Sequence, residues 1–138
     1  MKLKYKHAHM NAAHMYANLS HCKRKKVGCL IVKGDRPISV GYNGTPANHD
    51  NCCEDDNNNT KPDVVHAEIN AMHKLIAAGK TGEGTIMFVT VSPCLLCAPE
   101  IVKFGIPHVV YEEDYRLSSG VEYLRAHGVV VEQLEPLT

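Results

Sequence analysis

Two short stretches, well separated along the chain, together offer ligands to one metal ion, and this shared requirement constrains the fold more than any other feature. The first is Val65-His66-Ala67-Glu68-Ile69-Asn70-Ala71 and the second is Ser92-Pro93-Cys94-Leu95-Leu96-Cys97. His66, Cys94 and Cys97 supply one imidazole and two thiolates, a donor set that suits Zn²⁺. Three protein ligands leave a tetrahedral ion one open position, as catalytic sites do, whereas structural sites are normally closed by four. Glu68 fits the role of a carboxylate that moves protons on a water made acidic by the metal. A structural zinc module without activity is the rival reading, and it has no use for Glu68.

Backbone geometry adds a second constraint. Residues two apart on a helix point to nearly opposite sides, because each residue turns about 100°. His66 and Glu68 therefore converge only where the backbone is entering a helix. Cys94 and Cys97, three apart, share a helix face. Ser92 as N-cap and Pro93 at the first helical position predict that this helix starts just before the two cysteines. Two helix N-termini would then direct their positive ends at the site, favouring thiolate over thiol.

The rest of the chain is compatible with a globular enzyme. Its 138 residues read as one domain, 1–138, with 44% hydrophobic residues and 15 cationic against 15 acidic side chains. That neutral balance argues against a broad nucleic-acid surface, which usually carries a basic excess. Six cysteines are too few for a disulfide scaffold at this length. The start, Met1-Lys2-Leu3-Lys4-Tyr5-Lys6-His7, has no apolar run of the signal-peptide kind, and nothing approaches a membrane span. A reducing cytoplasm is the expected location.

In order, residues 3–19 read as a helix with Tyr5, Ala8, Ala12, Met15, Tyr16 and Leu19 at helical spacing on one face. His7, His9 and His14 do not stack on such a helix and read as surface or rim positions. Ser20 to Lys26 is a basic connector, either a solvated loop or an anion site beside a pocket. Val27 to Val32 and Pro37 to Tyr42 form a hairpin, with Cys29 as a small core residue. A long polar stretch follows to Asp63, its acidic and Asn run 54–59 reading as solvated. Cys22, Cys52 and Cys53, with His21 or His49, have too irregular a spacing for a standard zinc knuckle, leaving a second metal site as an alternative. Beyond it come a helix over 66–78 ending at Gly79, a strand over 85–91, a helix from Cys94 to Phe104, a strand over 107–111, a helix over 116–127 closed by Gly128, and a strand over 129–132. Strands alternating with helices predict an α/β sheet with parallel pairs and helices on both faces, the last two strands parallel.

The H-x-E and P-C-x-x-C pair is the general signature of zinc-dependent nucleobase deaminases. The chain more specifically resembles the deoxycytidylate (dCMP) deaminase family. That likeness is carried by Arg24-Lys25-Lys26-Val27-Gly28, Gly41-Tyr42-Asn43-Gly44-Thr45-Pro46, Asn51-Cys52-Cys53, the two metal stretches, and Gly105-Ile106-Pro107-His108-Val109-Val110-Tyr111. The resemblance implies a three-layer α/β/α cytidine deaminase-like fold with a mixed five-stranded sheet. It implies one catalytic Zn²⁺ per chain on His66, Cys94 and Cys97, and Glu68 as the proton shuttle in hydrolysis of dCMP to dUMP and ammonia. Expected substrate contacts are Asn43, Ala67, Ser92 and Tyr115, with Arg24 and Lys26 at the phosphate. Family members are commonly hexameric, activated by dCTP and inhibited by dTTP, each with Mg²⁺. The effector region would hold Asn43, Gly44, Asn48 and Asn51. Some phage members hold a second, structural zinc through cysteines matching Cys22 and Cys52. Segment 54–65 lacks the insertion carrying its further ligands, so the second zinc stays open. The nearest rival within the signature is a tRNA adenosine or single-stranded nucleic-acid deaminase, which would share the same four site residues.

Overall fold

In the computed structural model, which describes residues 1–46 and 50–137, the β-branched and aromatic runs become five strands and the intervening periodic segments four helices. The elements are α1 (Leu3–Ala17), β1 (Gly28–Lys33), β2 (Arg36–Tyr42), α2 (Ala67–Ala77), β3 (Thr85–Val91), α3 (Ala98–Phe104), β4 (His108–Glu113), α4 (Ser119–Ala126) and β5 (Val130–Gln133). Gly79 and Gly128 follow α2 and α4 with φ of +72° and +83°, the left-handed conformation that stops a helix at least steric cost.

The sheet runs β2-β1-β3-β4-β5. β1 is antiparallel to β2 and β3, while β3, β4 and β5 are parallel neighbours. Side chains alternate across the sheet, so β1, β3 and β4 each feed two cores. Cys29, Ile31, Met87, Val89, Val109 and Tyr111 pack with α2, α3 and α4. Leu30, Val32, Phe88 and Val110 pack with Met10 and Ala13 of α1 on the opposite face. The result is the expected three-layer α/β/α arrangement around a mixed sheet.

Two sequence expectations are overturned. The buried face of α1 is His9, Met10, Ala13 and Ala17, whereas Tyr5, Met15, Tyr16 and Leu19 are exposed. The reason is how closely the helix approaches the sheet: a Cβ on Gly28 would lie 1.8 Å from the Ala13 carbonyl oxygen. At that separation small residues must face the strand, and the bulky ones turn to solvent. The second correction concerns α3, which begins at Ala98 with Cys97 as its N-cap residue, so Ser92 and Pro93 do not start it. The Ser92 hydroxyl instead accepts a hydrogen bond from the Tyr115 N–H at 2.7 Å. Pro99 occupies the first turn that Pro93 was expected to fill. Among the described residues, no helix is long and apolar enough to cross a membrane.

Candidate metal centre and its cleft

The candidate metal ligands gather where two helices begin, beside the carboxyl end of the parallel strand β3. His66 is the N-cap residue of α2, with an extended backbone of φ −72° and ψ 154°, and Glu68 lies in the first helical turn. This change of backbone between His66 and Ala67 lets two side chains of an H-x-E triplet face one point. On the other side, the Cys97 and Ala98 N–H groups both donate to the Cys94 carbonyl, at 3.1 and 3.0 Å. That turn brings Cys94 and Cys97 together just ahead of α3.

The three donors converge. His66 Nδ1 lies 3.5 Å from Cys94 Sγ and 3.4 Å from Cys97 Sγ. A tetrahedral zinc bonded at about 2.3 Å to sulfur and about 2.05 Å to nitrogen would set those atoms about 3.6 Å apart. The donor set therefore fits zinc in chemistry and in spacing. The Cys97 thiol hydrogen-bonds to the Cys94 sulfur and, against the opposing effect of burial, holds Cys94 down to about 4. The same hydrogen bond, with burial, pushes Cys97 far up. The hydrogen bond to Cys94 raises His66, against burial. Glu68 is buried, and that desolvation raises its carboxyl to about 7.

A cleft of about 700 Å³ opens above these groups. His66, Ala67, Glu68, Ser92 and Cys94 line its floor and near wall; Arg24, Lys25, Asn43, Tyr115 and Arg116 also line it. Of the expected substrate contacts, Lys26 alone is absent from the lining, and it is exposed. Lys25, its neighbour, lines the cleft and pairs with Glu113. Asn43 lines the cleft, yet its amide is engaged by the backbone: its Oδ1 accepts from the Val27 N–H and its Nδ2 donates to the Lys25 carbonyl, each at 2.8 Å. Gly44 pairs through its backbone with Val65. Asn51 is exposed, and Asn48 and His49 lie outside the described residues.

Arg116 and Glu54 are among the lining residues missed in the sequence. Arg116 follows directly on Tyr115 in the β4–α4 connection, and its position after a parallel strand's carboxyl end was the available signal. Glu54 is buried, although its run was expected to be solvated, because its carboxylate accepts from the Lys23 and Arg24 N–H groups at 3.1 to 3.2 Å. Asp55 through Asn59 are exposed as expected. Of the two cysteines that match second-zinc positions, Cys22 is disulfide-bonded to Cys53, and Cys52 is free and exposed. Cys22, Cys53 and Glu54 lie close enough to hold an ion, but the disulfide removes both thiolates from the available donors. His14 is exposed and pairs with Glu112, whereas His9, expected at the surface or rim, is buried against Phe88 because it lies on the face of α1 that meets the sheet. Among the described residues, neither joins a group of three candidate ligands.

Residues 3–113 match the family model described as the cytidine and deoxycytidylate deaminase zinc-binding region. The chain is 37% identical over 136 residues to the deoxycytidylate deaminase of Saccharomyces cerevisiae, and 36% identical over 141 residues to that of Schizosaccharomyces pombe. These matches cover 90% and 92% of this chain but 43% of each yeast protein, so the chain spans less than half the length of those relatives. Among solved structures, the dCMP deaminase of cyanophage S-TIM5, in complex with dCMP and dUMP, superposes with a TM-score of 0.93 at 40% identity. That match covers 96% of this chain and 98% of the cyanophage chain.

Proposed function

This chain belongs to the cytidine and deoxycytidylate deaminase family, and from that membership we propose that it hydrolyses dCMP to dUMP and ammonia at a zinc centre. The convergence of His66, Cys94 and Cys97 at 3.4 to 3.5 Å beside a buried Glu68 carries the reading. Those three side chains would hold the ion and leave one position open. When bound there, zinc acts as a Lewis acid that makes water acidic near neutral pH.

Glu68 does the proton work. As a carboxylate it takes a proton from the attacking water and hands it to N3 of the cytosine ring as the water oxygen bonds to C4. It then carries the second water proton to the amino group, and the C4–N bond breaks to release ammonia. A carboxyl raised to about 7 by burial is suited to accepting and returning a proton in that range. Ala67 and Ser92 border the base, with Tyr115 beside the nucleotide. Arg24 and Arg116, on two different segments of the lining, supply guanidinium groups for the phosphate. Asn43 acts chiefly by fixing the connector Lys25–Val27 that forms this wall. The cyanophage relative's complex with dCMP and dUMP supports the substrate assignment. Turnover of a panel of dCMP, deoxycytidine, dCTP, guanine and tRNA tests it. Strong preference for dCMP is expected, and equal efficiency on deoxycytidine or preference for tRNA would overturn it.

Regulation by dCTP–Mg²⁺ and dTTP–Mg²⁺ in a homo-hexamer completes the proposal. Its physical support is short-range: the Gly44–Val65 backbone pair, at 3.1 and 2.8 Å, joins the start of the effector loop to the residue before His66. An effector on that loop would thus act on the site without a long relay, and the coupling must be reciprocal. A sigmoidal dCMP curve made hyperbolic by dCTP–Mg²⁺ and suppressed by dTTP–Mg²⁺ is expected. Curves indifferent to both would remove the regulatory part alone.

A further inference from the structure

Resting on the zinc reading above, the structure assigns a positioning role to Gly120: through it, the first turn of α4 sets where the Cys94 sulfur stands. Gly120 is the second residue of α4 and is buried. A Cβ built on it would lie 2.0 Å from the Pro93 carbonyl oxygen, 2.7 Å from the Cys94 carbonyl carbon and 2.9 Å from the Cys94 carbonyl oxygen. All three obstacles are main chain, so no side-chain rotation relieves them. Any residue larger than glycine must displace either α4 or the Pro93–Cys94 segment.

The alternatives are restricted on both sides. Val121 and Leu124 anchor α4 in the core. Ser92 is tied to the end of β4 through its N–H to the Glu113 carbonyl at 2.9 Å, and to the β4–α4 connection through its hydroxyl, which accepts from the Tyr115 N–H at 2.7 Å. Beyond it, the Cys94 carbonyl accepts from both Cys97 and Ala98. A Cβ at Gly120 thus loads the one stretch, Pro93–Cys94, between those two fixings. A displacement there changes where the Cys94 sulfur stands relative to His66 Nδ1, now 3.5 Å distant. A shift of a few tenths of an ångström matters for a metal ligand, although a core contact would absorb it.

Gly82 provides the comparison. A Cβ there would meet Ile106 Cγ1 at 2.6 Å and the Ile106 nitrogen at 2.9 Å. It precedes β3, at the opposite end of that strand from Cys94. Crowding at Gly82 should weaken the fold without touching the metal ligands.

The test is competitive zinc transfer to a chelator of known affinity, with the absorption of the cobalt-loaded protein as a second signal from the thiolate ligands. Gly120→Ala is expected to lower zinc affinity by about 10- to 100-fold, the range for loss of an outer support of a metal ligand, and to change the sulfur-to-cobalt band. Gly82→Ala is expected to lower thermal stability and leave both metal signals unchanged. Native zinc affinity in a folded Gly120→Ala would overturn the inference, as would an equal loss in Gly82→Ala. If Gly120→Ala fails to fold, Ser92→Ala frees the same segment by removing its hydroxyl tie. Lower zinc affinity in that variant supports the assignment, and unchanged affinity overturns it. Absence of zinc binding by the unmodified protein would instead defeat the zinc reading on which the inference rests.

Discussion

Replacing Asn43 by alanine separates a wall-building residue from a substrate contact. The side chain makes two hydrogen bonds of 2.8 Å, accepting from Val27 N–H and donating to the Lys25 carbonyl. Each is worth about 1 kcal/mol net, and a partly buried N–H left unpaired adds to that. Val27 is partly buried, so Asn43→Ala should cost about 2–3 kcal/mol in all. Unfolding entropy near 2.1 cal/mol/K per residue gives about 0.29 kcal/mol/K for this chain, and hence a drop in melting temperature of about 7–10 °C. The assay is urea and thermal unfolding of zinc-saturated protein, with dCMP kinetics run alongside. KM should rise, because Arg24 and Lys25 are no longer held against the cleft, while zinc content stays intact. Asn43→Asp keeps the acceptor for Val27 and should lose less stability than alanine. A stability change within about 0.5 kcal/mol, the range of an ordinary surface substitution, would refute the reasoning. A large KM effect with that small stability change would make Asn43 a direct substrate contact instead.

Glu68→Gln should retain zinc and fold while losing dCMP turnover by about 10²–10⁴-fold, the usual contribution of a positioned acid–base group; near-native turnover would contradict the proton-shuttle role. A second prediction concerns pH. Burial alone would raise the Glu132 carboxyl, but hydrogen bonds and charge from Lys6 and His108 outweigh it and hold the group below the usual carboxylate range. Because the folded-state value lies below the unfolded one, its stabilisation is fully present above the unfolded value and is lost as pH falls through the folded value. Glu132→Gln should therefore cost at most about 1 kcal/mol at neutral pH, as partly exposed pairs do. In thermal melts the gap from the unmodified protein should close on acidification, and a gap that is constant with pH would count against the Lys6–Glu132–His108 cluster.

What the sequence revealed was mostly local. Helix-period and strand-period runs, with Gly79 and Gly128 after two helices, foretold the alternating order and the parallel pairing of β4 and β5. The H-x-E geometry was also legible, since one backbone rule forces His66 to stand just outside α2. Features that depend on a distant partner were not legible. Ser92 reads as an N-cap by itself, but its hydroxyl is claimed by an N–H 23 residues further on. Glu54 belongs to a run that reads as solvated, until the N–H groups of Lys23 and Arg24 arrive from 31 and 30 residues earlier. The orientation of α1 was misread because its bulky apolar stripe is not the side that fits against Gly28. Periodicity gives that helix, but only the closeness of its packing decides which face is buried.

We propose that dCMP deamination by this chain requires one zinc on His66, Cys94 and Cys97. It is tested most directly by removing the metal with a chelator, restoring zinc in measured fractions, and following conversion of dCMP to dUMP at each step. Expected are no turnover without metal and a linear return that saturates at one zinc per chain, absent in a Cys97→Ser protein that remains folded. Full turnover by metal-free protein, or no dUMP from protein carrying one zinc per chain, would contradict it.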